Sequence, residues 1–263
     1  MKIIHQIGAK WKDIHVKELS KLGILVNRGV FSYVVLEENV YLSFKGLFNG
    51  DEFIQTVGTE YSKNDLNNAN WLILDGIKET GFPQPEEDFG YLEKTYDLIN
   101  YCKDCGTGNI QNSFFRIKKE PKWGSKKVFQ LSWIYDELFV EIEFYNRFFK
   151  PLGLAAKPVF LHKSDKECKT VIQLDIPRIG LSLDMKDTSF ADCSSCNKRK
   201  YSPQIKGFAP KYDDYSNYKI FKGSEFYGTG KQTYNRIYIN QSMRKELIVE
   251  KIIKPWQLIP LES

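Results

Sequence analysis

Four of the five cysteines stand in two pairs, Cys102 and Cys105 in YCKDCGTGN and Cys193 and Cys196 in ADCSSCNKR, each pair separated by two residues. A Cys-x-x-Cys turn curls so that both sulfurs face one ion, and zinc prefers four thiolate or imidazole ligands in a tetrahedron. Together the pairs predict one closed site, Cys102, Cys105, Cys193 and Cys196, that holds one structural zinc per chain. Four thiolates leave no open position, whereas a catalytic zinc keeps one for water or substrate. Gly106 and Gly108 follow the first pair, where positive φ and close backbone approach are common needs.

Other readings of the same residues stay open. Iron is the substitute that an all-thiolate site also admits. A redox pair wants its first thiolate at a helix N-terminus, which the following glycines oppose. A disulfide does not suit a reducing compartment, and core cysteines without a metal complete the set. Between Cys105 and Cys193 lie 87 residues, far more than in compact zinc modules. Closing such a loop costs about 4 kcal/mol, against apparent binding energies of about 10–16 kcal/mol for structural zinc in small peptides. The intervening segment is expected to fold by itself as an inserted β-hairpin, a helix and a strand pair.

Catalytic sets are not evident. His5, His15 and His162 have no HExxH spacing, and neither a G-x-S-x-G elbow nor a phosphate-cradling loop occurs; GSEFYGTGK at 223–231 has the wrong order. His15 is expected at the surface or boundary of the first helix, and Cys168 as a buried structural residue. We therefore expect a binding protein, not an enzyme. Asp136, Glu137, Glu141 and Glu143 gather at the start of a central helix, where negative charge is favourable; they could also form an acidic partner-facing patch. Arg116, Lys118, Lys119, Lys122, Lys126 and Lys127, then Lys198, Arg199 and Lys200, interleave with Trp123 and Tyr201. Such a surface could follow a phosphate backbone while aromatics stack on bases; the plain alternative is a solvated hairpin. Lys122, Trp123, Asp136 and Glu137 are accordingly the candidate partner-binding residues.

The elements that must position these residues read as α+β: mixed, mainly antiparallel sheets with a few helices, stapled by the zinc. MKIIHQI opens as a strand, Asp13 caps a helix that Gly23 stops, and FSYVVLEENVYLSF reads as two strands around Glu37–Asn39. GDEFIQTVG reads as a short helix and WLILDGI as a buried strand. SFFRIKK and KVFQLSWI read as a hairpin around EPKWGSKK, VEIEFYNRFFKPLG as a helix ended by Pro151 and Gly153, and KPVFL with TVIQLDI as strands. YKIFKG and YNRIYIN follow as strands, and the last helix runs from Ser242 towards Pro255. The loop GFPQPEEDFG, with Pro83 and Pro85, reads as a boundary or an exposed loop: either an N-terminal α+β region, 1–85, precedes a zinc-stapled α+β region, 86–263, or the two form one continuous domain.

The chain has 263 residues, 38 basic and 33 acidic side chains and a net charge of +5, too small a surplus to demand a polyanionic partner. No segment approaches 18 consecutive apolar residues, and the N-terminus has no apolar core of signal-peptide length. No membrane contact and a cytoplasmic location with reduced thiols are expected.

The order of features resembles the bacterial double-CXXCG motif family, known for myxobacterial paralogues: PQPE before TYD, CKDCG, FRIKKEPKWG leading to QLSWIYDELFV, FKPLG, then CSSC. The likeness spans roughly residues 80–205, and Asn197 stands where the second glycine of the pattern would be. Members include immunity proteins that neutralise a toxin delivered between neighbouring cells. The resemblance therefore implies a cognate protein toxin as partner, and a metal held by Cys102, Cys105, Cys193 and Cys196. A nucleic-acid-binding zinc module is the alternative.

Overall fold

A computed structural model describes residues 1–48, 52–180, 183–212 and 217–262. The chain forms two compact units, Met1–Asp65 with Gln204–Phe208, and Leu66–Pro203 with Ala209–Ser263.

In the first unit the strand Lys2–Lys10 lies between Phe31–Glu37 and Ile54–Glu60, antiparallel to both. Side chains alternate across such a strand, so Val34 and Leu36 are buried while Phe31, Tyr33 and Val35 are exposed. Ile7, Ala9, Trp11, Leu19 and Tyr41 complete the core. Gly8 lies beneath the Tyr33 ring, where a Cβ would come within 2.4 Å of it. The helix Asp13–Ser20 begins one residue earlier than expected: Lys12, not Asp13, is its cap and donates its N–H to His15 Nδ1. That bond and its packing among Trp11, Phe48 and Phe53 bury His15, contrary to its expected surface position.

Two other local expectations are corrected. Glu38–Phe44 is a helix, not the second arm of a strand pair, because the apolar residues Val40, Tyr41, Phe44, Leu47 and Phe48 recur at helical spacing towards the core. Ile54–Glu60 is an edge strand, not a helix; residues 50 and 51 of that stretch lie outside the described residues.

The second unit holds a five-stranded sheet in the order Arg116–Ile117, Ala155–Leu161, Lys166–Asp175, Phe139–Glu141, Val128–Phe129, all antiparallel except the first pair. The expected hairpin around EPKWGSKK is therefore not formed. Its two arms lie at opposite edges of this sheet, each pairing with a strand more central than itself. Phe115, Phe129, Phe139, Val159, Cys168 and Val171 pack as one core, and burial pushes the Cys168 thiol up to about 12. The central helical segment runs from Ile142 to Leu152 and ends at Gly153, φ +79°.

A second, antiparallel sheet has the order Ile220–Lys222, Ile237–Asn240, Trp71–Leu74, Leu258–Pro260. All four residues of Trp71–Leu74 are buried, and this strand joins the sheet from its interior. The division thus falls at Asp65, and the proline loop 81–90, the expected boundary at 85, lies inside the second unit. Asn240 caps the helix Gln241–Val249 by accepting from the Met243 N–H at 2.9 Å. The architecture is α+β with mostly antiparallel sheets, and four cysteines from distant segments meet in it.

Candidate metal centre

Each cysteine pair occupies the loop of a small antiparallel hairpin. Tyr96–Asp97 pairs with Ile110–Gln111 around Cys102 and Cys105, and Phe190–Asp192 pairs with Arg199–Tyr201 around Cys193 and Cys196. The loops share one backbone design. The Cys102 N–H donates to Thr107 O and the Gly106 N–H to Cys102 O, at 2.8 and 2.7 Å. Likewise the Cys193 N–H donates to Lys198 O and the Asn197 N–H to Cys193 O, at 3.0 and 2.8 Å. Both loops close through a left-handed residue, Gly106 at φ +78° and Asn197 at φ +57°. Asparagine is the side chain that best tolerates this conformation after glycine, which accounts for Asn197 at a glycine position. Gly106 and Gly108 have a further constraint: a Cβ on either would fall 2.0 Å from a carbonyl oxygen, that of Lys231 or Asn100.

The loops face each other in matching order. Cys102 Sγ is 3.8 Å from Cys193 Sγ and Cys105 Sγ is 3.6 Å from Cys196 Sγ. The Ser195 hydroxyl donates to the Asp104 carboxylate between them. All four sulfurs lie within 4.8 Å of one another. A tetrahedron with zinc–sulfur bonds of about 2.3 Å has sulfur–sulfur edges of about 3.8 Å, so the donor set fits such an ion. The cysteines are free thiols. Backbone N–H groups of Ser195 and Cys196 hydrogen-bond to Cys193 and hold its thiol down to about 7, favouring the thiolate that a metal needs. Among the described residues neither pair stands at the N-terminus of a helix, the setting that a redox Cys-x-x-Cys wants.

Several supporting residues were not legible in the sequence. Thr107, fully buried between the two glycines, contacts Cys105 Sγ at 3.1 Å. Thr233 donates to Cys105 O at 2.7 Å, and the buried Lys200 ammonium donates to Cys105 O, Gly230 O and Gln232 O. The loop 230–233 thus binds the first knuckle from far along the chain, where no local signal could announce it.

The candidate partner-binding residues are dispersed. Lys122 is exposed. Trp123 is half-buried against Phe129, ring centroids 5.5 Å apart. Glu137 is corrected from a surface role: it is 5% exposed, accepts from Gln173 Nε2 and pairs with Lys222. Asp136 lines a cavity and accepts the Asn235 N–H at 3.2 Å. The basic groups also have internal partners: Arg199 binds Asp192, Lys198 binds Asn100 O, Arg116 binds Asp165 and Lys127 binds Glu141.

Among the described residues, no helix is long and apolar enough to cross a membrane. No protein-family model, curated protein or solved structure matches the chain.

Proposed function

We propose that this chain is a zinc-stabilised, immunity-type bacterial protein that binds and neutralises a cognate toxin in the cytoplasm. The observation that carries the metal half is the closed set of four sulfurs, Cys102, Cys105, Cys193 and Cys196, within 4.8 Å. Zinc supplies structural cross-linking there, and the chain's own loops supply the ligands and the N–H groups around them. The partner half rests on the resemblance to the double-CXXCG family. The left-handed Asn197 supports it, because the one departure from the pattern keeps the backbone that a glycine would give. In this reading the protein acts by binding, not by turnover.

Elemental analysis should return about one zinc per chain, and Cys→Ser at any of the four positions should lower both metal content and stability. A metal-free protein of unchanged stability would refute the metal. Co-expression with toxins encoded beside the gene should give protection and a complex; absence of both would refute the immunity role. The nucleic-acid alternative draws on Lys198, Arg199 and Lys200, whose charged groups hold internal partners. It would require binding that falls steeply with salt.

A further inference from the structure

A cavity of about 740 Å³ opens in the second unit beside the first knuckle, within the range that small-molecule sites occupy. One wall is aromatic: the Trp133 ring lies 4.8 Å from Phe89 and 6.0 Å from Tyr91, centroid to centroid. Trp133 and Phe89 both hold positive φ, +73° and +55°, a conformation that bulky residues rarely adopt and that concentrates at binding sites. Tyr91 and Tyr96 line the same space, are 6% and 9% exposed, and have no hydroxyl partner among the described residues. Both hydroxyls are therefore free to meet a polar group bound in the cavity.

The charge balance points to the sign of that group. Asp136 and Glu137 are neighbours, and Lys222 pairs with Glu137 at 2.5 Å. Two carboxylates thus share one ammonium, and Asp136 is left with backbone N–H donors alone, that of Asn235 and its own. Asp88 and Glu93 also line the cavity, against Lys103 and Lys231, so its lining carries one net negative charge when Asp136 is ionised. Burial raises the Asp136 carboxyl to about 6, still below neutrality. A carboxylate beside electron-rich ring faces is the recognition chemistry of organic cations.

We propose that this cavity binds an organic cation, an ammonium or guanidinium group held by Asp136 with its apolar body against Trp133, Tyr91 and Phe89. The cation can be a free amine or a basic side chain of a polypeptide.

The test uses the full, metal-loaded chain and calorimetric titration with benzyltrimethylammonium, phenethylamine, neopentylbenzene as the neutral shape analogue of the first, and phenyl phosphate. Binding of a cationic probe is expected, at least about tenfold tighter than neopentylbenzene or phenyl phosphate. Asp136→Asn and, separately, Trp133→Leu should each weaken it by about tenfold or more. Equal binding of the neutral analogue, tighter binding of phenyl phosphate, or no cationic binding up to about 10 mM would overturn the proposal. The wild-type comparison needs no variant, so it decides the matter even where a substitution prevents folding. An arginine-containing peptide that binds more tightly than capped arginine assigns the cation to a protein partner; the reverse order assigns it to a free small molecule.

Discussion

At the residue scale the two knuckles show how one backbone geometry is met by different side chains. Asn197 and Gly106 hold the same left-handed position, but only Gly106 also presses against a carbonyl. Asn197→Gly should therefore change stability by no more than about 0.5 kcal/mol, whereas Asn197→Val should cost about 1–2 kcal/mol. Gly106→Ala should cost more than either, because the Lys231 backbone would have to move. Denaturant midpoints of the metal-loaded variants measure this order. Lys200 is a second case. Its ammonium is buried on three carbonyl oxygens, and Lys200→Met should cost about 3 kcal/mol by leaving those acceptors unpaired. Equal unfolding midpoints for Lys200→Met and wild type would show that water satisfies the carbonyls instead.

At the element scale, depth within a sheet decides the outcome of a substitution. Phe139 is fully buried, stacked on Phe129 and edge-on to Phe115; Phe139→Ala should cost about 3–5 kcal/mol in a urea titration. Val35 lies 58% exposed on the outer face of its strand, and Val35→Ala should stay within about 0.5 kcal/mol. The same contrast explains what the sequence made legible. Strands with strong local pattern, Trp71–Leu74, Ala155–Leu161, Lys166–Asp175 and Ile237–Asn240, were readable, as was the cysteine set, because four identical donors carry their chemistry in their type. Residues 38–44 misled because β-branched and aromatic composition competed with helical spacing, and the spacing prevailed. The false hairpin at 116–129 failed for another reason: strand pairing is non-local, and each arm found a partner from a later segment. The aromatic cavity was invisible for the same cause, since Tyr91, Trp133 and Thr233 meet only in three dimensions.

At the scale of the whole molecule, metal removal and pH should act on identifiable parts. Chelation should strip hydrogen-exchange protection from 96–111 and 190–201, while the strand Lys2–Lys10, in the other unit and paired on both sides, keeps its own. Loss of protection at Lys2–Lys10 in step with the knuckles would contradict this. For pH, burial is the main cause that lifts the Asp136 carboxyl from 3.8 to about 6, with the Glu137 charge adding to it and Lys222 opposing. The protonated acid is the form that burial favours, so its contribution to stability is full below about 4 and is lost as pH rises through about 6. Asp136→Asn should therefore gain on wild type between those values. The gain should reach roughly 1–2 kcal/mol at neutrality, because the cavity leaves the carboxylate partly screened. Urea midpoints at a series of pH values give the difference; a gap that does not grow with pH would contradict the burial of this charge.

The offset between the facing loops also has a meaning in time. Cys102 pairs with Cys193 and Cys105 with Cys196, each at a separation of 91 residues. A ribosome adding about 5–20 residues per second needs roughly 5–18 s to cross that distance. For that interval the first hairpin exists with two of its four ligands, and the sheet strands from Arg116 to Asp175 are made while it waits. A metal held by these four sulfurs would thus be a late arrival in the life of each molecule, closing around a segment already synthesised, while the strands Ile220–Lys222, Ile237–Asn240 and Leu258–Pro260 that complete the second unit are still to be made.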